Sequence, residues 1–204
     1  MSKYNLAILY SRFYCRTDRL VRSFNVTFPS RPAHLESCHS VLRDGRENEI
    51  LKLQLYWGQF CQELVIRSAL GGHRTLTGTS LAPGTISHTS AILKEASRLC
   101  GGSHFPWHVP NRCTDLAKCV GAPNYSQIKA GLSITAPVAD LLATRNYIVH
   151  PSKQNQIAYK RVAIKYGQPK ATPTDLLSSR LPSGNTLFDV WVKSFRLMAE
   201  VAIR

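Results

Sequence analysis

The sequence predicts an all-α fold: a helical bundle with a loop and short-helix insertion between its long helices. Three observations carry that expectation. Apolar residues recur at spacings of three and four in "NEILKLQLYWGQFCQELVIRSALGG" (48–72) and again in "NTLFDVWVKSFRLMAEVAIR" (185–204), the period of one helix face. Gly- and Pro-rich stretches punctuate the chain between such segments, and convincing strand alternation is scarce. The 204 residues, 44% hydrophobic and 19% charged, suit one medium domain with a core of its own, so a single domain over 1–204 is expected.

The elements follow in chain order. Residues 1–32 read as a basic N-terminal extension, and a helix is expected over about 33–43, after Pro32 and broken at Asp44-Gly45. Ile50, Leu53, Trp57, Phe60 and Leu64 form the inward stripe of a helix of roughly five turns that stops at Gly71-Gly72. Gly58 inside it suits the close approach of a neighbouring helix. Residues 71–135 are insertion-like: a Gly/Thr/Ser-rich loop over 71–87, then a helix in "TSAILKEASRLCGG" with Ile92, Leu93 and Leu99 inward. A loop with two prolines and two short helices, "TDLAKCVGAP" and "YSQIKAGL", complete it.

"APVADLLATRNYIVHP" carries Pro137 near its start and ends at Pro151, which brackets a helix. Residues 155–166 continue helically, although "RVAIKY" also suits a strand. "QPKATPTDLLSSRLPSGNT" reads as a Pro/Ser-rich connection. The last helix is capped by Asn185 and carries Leu187, Val190, Trp191, Phe195, Met198 and either Val201 or Ala202 on one stripe.

Charge narrows the function. Lys and Arg total 26 against 12 Asp and Glu, a formal net charge of +14, which points to a polyanionic partner, most simply RNA or another nucleic acid. Residues 1–46 hold eight basic and three acidic side chains, densest in "SRFYCRTDRLVRSF", and 145–170 hold six basic and no acidic ones. Within the second region Lys153, Lys160, Arg161 and Lys165 are candidate RNA-binding residues. The first interleaves aromatics with arginines, a composition able to stack bases, and equally suited to a solvated arm or an interface. No apolar run approaches the ~20 residues of a membrane span or forms a signal segment, so a cytoplasmic location is expected. Cysteines 15, 38, 61, 100, 113 and 119 lack C-x-x-C spacing, and in a reducing compartment such scattered cysteines are mostly small core residues, so no disulfide is expected.

The chemistry-bearing stretch is "LLATRNYIVHPSKQ", 141–154. Asn146 and His150, four apart, share a helix face; Arg145 lies about 140° from His150 but has a long side chain. Pro151 pushes His150 out of helical geometry, to the end of the helix next to solvent. An imidazole there can take a proton from a ribose 2'-hydroxyl or give one to a leaving oxygen, and a guanidinium can neutralise charge growing on phosphoryl oxygens. Neither role requires a metal or cofactor. Asn146 can orient the ring or hold a phosphate oxygen. Spacing alone does not establish this, because an Arg and a His five apart also arise by chance as a helix-end Arg and a surface His.

"RNYIVH" matches the R-x(4-6)-H signature of the HEPN superfamily, with the polar residue that commonly follows the Arg. With "YWGQFCQELVIRSALGG" before it and "LFDVWVKSFRLMAEVAI" after it, the chain resembles the RiboL-PSP-HEPN branch over about 33–204. The resemblance implies a HEPN-like bundle that forms a homodimer, with two Arg-Asn-His clusters facing each other across a cleft. It further implies a metal-independent endoribonuclease that leaves 2',3'-cyclic phosphate ends, acting in a toxin-antitoxin, abortive-infection or other phage-defence system, with Arg145, Asn146 and His150 as its site. No nucleotidyltransferase domain is read within these residues, so any antitoxin or defence partner is expected to be a separate protein. The Tyr that some toxin members carry two residues after the His is Ser152 here. Glu63, beside the apolar seam of its helix, is a candidate supporting residue for the Arg or His; the simpler reading pairs it with Arg67 one turn on.

Other signals are weaker. Cys100, His104, His108, Cys113 and Cys119 are zinc-ligand types in no familiar spacing, so no metal site is assigned. "GGHRTLTGTS" lacks the G-K-[ST] ending of a phosphate loop, no G-x-S-x-G elbow supports a hydrolase triad, and no helix resembles a DNA-recognition helix.

Overall fold

The computed structural model describes residues 5–26, 36–86 and 88–204, with backbone alone for 26 and 36–44. The fold is all-α; among the described residues there are nine helices and no strand beyond isolated bridges. None of these helices is long and apolar enough to cross a membrane. Contacts group the chain into two compact units, one of residues 1–15, 55–135 and 195–204, the other of 16–54 and 136–194.

The long helices are α1 (Leu6–Val26), α2 (Glu36–Leu70) and α9 (Leu187–Ile203), and each contributes residues to both units. Over its described part the basic N-terminal stretch is no appended arm. Leu6, Leu9, Phe13, Leu20 and Phe24 of α1 are buried, while Arg12, Arg16, Arg19 and Arg22 are exposed. The arginines of "SRFYCRTDRLVRSF" are the outer face of an amphipathic helix whose aromatics mostly point inward. Tyr14, 43% exposed, is covered by the guanidinium of Arg196 at 3.9 Å from its ring centroid.

α2 also departs from expectation. It runs unbroken through Asp44-Gly45, where a break was predicted; the start of the predicted 33–43 helix lies outside the described residues. A glycine in a helix costs about 1 kcal/mol relative to Ala, too little to stop a helix with tertiary contacts on its later turns. The expected stop at Gly71-Gly72 is present. Both glycines adopt φ of 68°, and a Cβ on Gly71 would collide with the backbone of Ala82 and Pro83.

In the first unit, Phe13, Trp57, Phe60 and Phe195 form an aromatic cluster, with Phe13–Phe60 centroids 5.0 Å apart and Trp57 meeting Phe195 edge-on at 4.9 Å. The insertion-like segment belongs to this unit and holds α3 (Thr89–Leu99), α4 (Pro110–Cys119) and α5 (Tyr125–Leu132). Ile92 and Ala96 are the buried positions of α3, whereas Leu93 is 41% exposed, because neighbours on a helix lie about 100° apart and one narrow stripe takes only one of them. Gly58 faces the loop residue His108, not a helix, with room for ordinary van der Waals contact.

The second unit packs α6 (Ala136–Val149), α7 (Lys153–Lys165) and α8 (Pro173–Ser178) with parts of α1, α2 and α9. The segment that admitted a strand, "RVAIKY", is mostly helix α7. The expected connection 168–186 contains α8, whose N-cap Thr172 accepts the Asp175 N–H ahead of Pro173 in the first turn. Thr186, not Asn185, caps α9: its Oγ1 accepts the Asp189 N–H at 3.2 Å while Asp189 Oδ2 accepts the Thr186 N–H at 3.1 Å, a reciprocal capping box. The inward face of α9 is turned slightly from the expected one. Phe188 and Val192 are buried, Val190 and Val201 are half-buried, and Ala202 is the buried member of the last pair.

Candidate functional site

α6 places the motif. Val138, Leu141 and Thr144 anchor it inward, and the Thr144 hydroxyl, fully buried, donates to the Asp140 carbonyl at 2.8 Å. The outward residues of its last turn are Arg145, Asn146 and, one step past the helix, His150. The His150 N–H donates to the Asn146 carbonyl at 2.9 Å, so the helical register persists to the histidine although Pro151 follows. Arg145 and Asn146 are half-buried, and Arg145 Nη1 donates to Asn146 Oδ1 at 3.1 Å. Among the described residues no carboxylate pairs with Arg145, which leaves its charge open to an external anion. His150 is exposed.

The turn into α7 is fixed by two residues not singled out from the sequence as site residues. Ser152 Oγ accepts the Asn155 N–H at 3.2 Å and caps α7; Asn155 Nδ2 reaches back to the carbonyls of His150 at 2.7 Å and Asn146 at 3.3 Å. Asn155 thus adds a second donor to two carbonyls that already accept the N–H groups of His150 and Ser152, and so holds the backbone of His150. The pattern Ser-x-x-Asn directly after a proline is the local signal for such a joint. Ser152 therefore has a capping role.

Further along, α6 and α7 are joined by an acid-centred network. Asp140, with only 10% of its side chain exposed, accepts Lys165 Nζ at 2.7 Å and the Tyr166 hydroxyl at 2.7 Å on the same oxygen. Trp191 Nε1 donates to the Tyr166 oxygen at 3.1 Å. The hydrogen bond it donates to Asp140 holds the Lys165 ammonium above its ordinary pKa, and burial raises that of Tyr166. Of the four predicted RNA-binding residues, Lys165 is thus engaged by Asp140, while Lys153, Lys160 and Arg161 are exposed on α7.

Glu63 belongs to the first unit, and Arg145, Asn146 and His150 to the second. Its Oε2 accepts Arg67 Nε at 2.6 Å, the i,i+4 pairing the sequence allowed. The candidate zinc residues do not gather: the Cys113 thiol is buried and donates to the Trp107 carbonyl at 3.2 Å, whereas Cys119 is exposed. Among the described residues no three side chains of metal-ligating type converge. Cys61 lies buried beside Cys113, and burial pushes its thiol pKa well up.

Beside the motif, in the second unit, a pocket of about 510 Å3 opens between the end of α6, α7 and the 169–173 segment, with Glu47 of α2 on its wall. Tyr147 lies stacked on the buried Tyr159, ring centroids 4.9 Å apart and planes 6° from parallel. The Tyr159 hydroxyl donates to the Ala171 carbonyl at 2.9 Å, and burial raises its pKa.

These features define an all-α protein with an Arg-Asn pair and an exposed histidine at one helix end beside a basic helix. No protein-family model matches the chain, and neither the curated proteins nor the solved structures include a significant match to it.

Proposed function

We propose that the protein is a HEPN-type, metal-independent endoribonuclease that cuts RNA to 2',3'-cyclic phosphate and 5'-hydroxyl ends, working in the cytoplasm as a homodimer. The observation that carries the reading is Arg145, without a carboxylate partner among the described residues and hydrogen-bonded to Asn146, one turn before the exposed His150. The 2'-oxygen loses its proton and attacks phosphorus while the bond from phosphorus to the 5'-oxygen breaks and that oxygen gains a proton. The reaction moves two protons, and each chain brings one His150; a second copy supplies the other imidazole, one as base and one as acid. Arg145 neutralises the non-bridging oxygens as charge builds on them.

Two further observations support the reading. Lys153, Lys160 and Arg161 lie exposed on α7, the helix that starts where His150 ends, and suit a polyphosphate chain. Ile157 and Ile164, 47% and 63% exposed and seven residues apart on the same helix, form an apolar strip that a second copy would cover. A toxin-antitoxin or phage-defence setting, with a separate antitoxin, accompanies this proposal through the family resemblance.

The test compares wild type, Arg145→Ala and His150→Ala on structured RNA with a chelator present, scoring cyclic-phosphate ends. Cleavage by wild type and its loss in both variants supports the enzyme. RNA binding by all three without cleavage assigns the protein to the rival class, a non-catalytic RNA-binding HEPN scaffold, and equal cleavage by all three refutes the assigned site.

A further inference from the structure

We propose that the pocket of about 510 Å3 beside the end of α6 is a docking site for an extended, acidic peptide segment of a partner protein, anchored by one aromatic side chain. The whole pocket lies within the second unit. Its wall is apolar and held in place: Tyr147 stacks on the buried Tyr159, whose hydroxyl is already engaged by the Ala171 carbonyl at 2.9 Å. Pro151, Pro169 and Pro173 continue the wall, and a proline has no N–H, so these residues present ring faces and no backbone donor. Such a surface suits a large apolar side chain, which at protein interfaces is most often an aromatic anchor seated in a well-packed pocket.

The polar groups at the rim define the rest of the ligand. Lys160 on α7 and Lys170 in the 169–173 segment are exposed, without an ion-pair partner among the described residues, and each suits a carboxylate flanking the anchor. Gln156 is exposed, four residues before Lys160 on the same face of α7, and offers both a donor and an acceptor, the pair that an extended peptide backbone presents. A phosphate chain would use donors alone, so this rim favours a peptide over RNA. Glu47, also on the wall, already has an interaction of its own and is assigned no contact with the ligand. The net charge of +14 adds long-range attraction for an acidic partner. Pro151 follows His150 directly, so a docked segment lies beside the motif; an effect on cleavage rests on the ribonuclease reading, whereas docking itself does not.

The test is fluorescence anisotropy of labelled, end-blocked peptides titrated with the full chain at about 150 mM salt. The probes are Gly-Asp-Glu-Trp-Glu-Asp-Gly, the same peptide with Ala for Trp, and the same peptide with Lys for every acid. The first is expected to bind with a dissociation constant of about 10–100 μM, and the other two at least about tenfold more weakly. Lys160→Glu weakens binding of the first peptide by about tenfold or more, whereas Lys94→Glu, an equal charge change at an exposed position of the first unit, leaves it within about twofold. Gln156→Trp, which fills the pocket from an exposed position, abolishes binding at an unchanged melting temperature. Equal binding of the Trp and Ala peptides, equal weakening by Lys94→Glu and Lys160→Glu, full binding by folded Gln156→Trp, or no binding at millimolar concentration overturns the proposal. A short single-stranded RNA is titrated in parallel, and RNA binding that folded Gln156→Trp loses, with no peptide bound, assigns the pocket to RNA and likewise overturns it. The measurement involves no cleavage, so failure of the ribonuclease reading, seen as an absence of cyclic-phosphate ends, leaves its result unchanged.

Discussion

Replacing Asp140 is the sharpest test of how the candidate site is held. Asp140→Ala removes the acceptor shared by Lys165 Nζ and the Tyr166 hydroxyl, both at 2.7 Å. The Lys165 side chain is 48% exposed, so it regains water and its share of the loss is that of a partly screened pair, about 0.5–1 kcal/mol. Tyr166 is half-buried and keeps only the donation from Trp191, so the lost bond to a carboxylate costs about 1.5–2 kcal/mol. The sum, about 2–3 kcal/mol, is a large part of a typical domain stability of about 5–15 kcal/mol, yet it leaves the chain folded in water. Asp140→Asn keeps an acceptor for Tyr166 and loses only the charge, for about 1 kcal/mol. Urea unfolding of both variants measures the difference, and a double cycle with Lys165→Ala isolates the pair at about 0.5–1 kcal/mol. A loss below about 0.5 kcal/mol in Asp140→Ala, or an Asn variant as damaged as the Ala one, would refute the shared-acceptor account.

Three other outcomes follow from particular contacts. Gly131→Ala destabilises by about 1–3 kcal/mol or more, measured by urea unfolding, because its Cβ would stand 2.6 Å from Ala202 Cβ and from the Met198 carbonyl oxygen. Gly45→Ala stabilises by about 0.5–1 kcal/mol, seen as a higher urea midpoint, since Gly45 is an exposed helical position with nothing within 4 Å of the added atom. Stability falls as pH rises past about 10: folding raises the pKa of Lys165 above 10.5 and those of Tyr159 and Tyr166 above 10.0, so their contributions are complete below those values. At higher pH the unfolded chain releases these protons first, and a melting temperature that stays level from pH 8 to pH 11 would contradict the three shifts.

The sequence carried the bundle wherever one apolar stripe dominated a helix. Ile50, Leu53, Trp57, Phe60 and Leu64 were legible from spacing, and all are buried. α1 has a comparable stripe at 6, 9, 13, 20 and 24, but the arginines between those positions drew attention to charge and hid the periodicity. Gly45 misled for a different reason. A local breaker lowers helix propensity by about 1 kcal/mol, whereas the decision to continue is made by packing on later turns such as those of Ile50 and Leu53. Thr186 displaced Asn185 as the cap because capping needs the side chain three residues before the N–H it satisfies, and Asp189 supplies that N–H to Thr186.

The candidate site divides along the same line. Arg145, Asn146 and His150 were readable because they share one helix end, where the helical period alone sets their relation. Lys165 read as a free cation because its partner Asp140 lies 25 residues earlier, a separation no local pattern encodes. The pocket was less legible still, since Glu47, Tyr147 and Lys170 come from three separated segments, and their types, one acid, one phenol and one amine, are individually unremarkable.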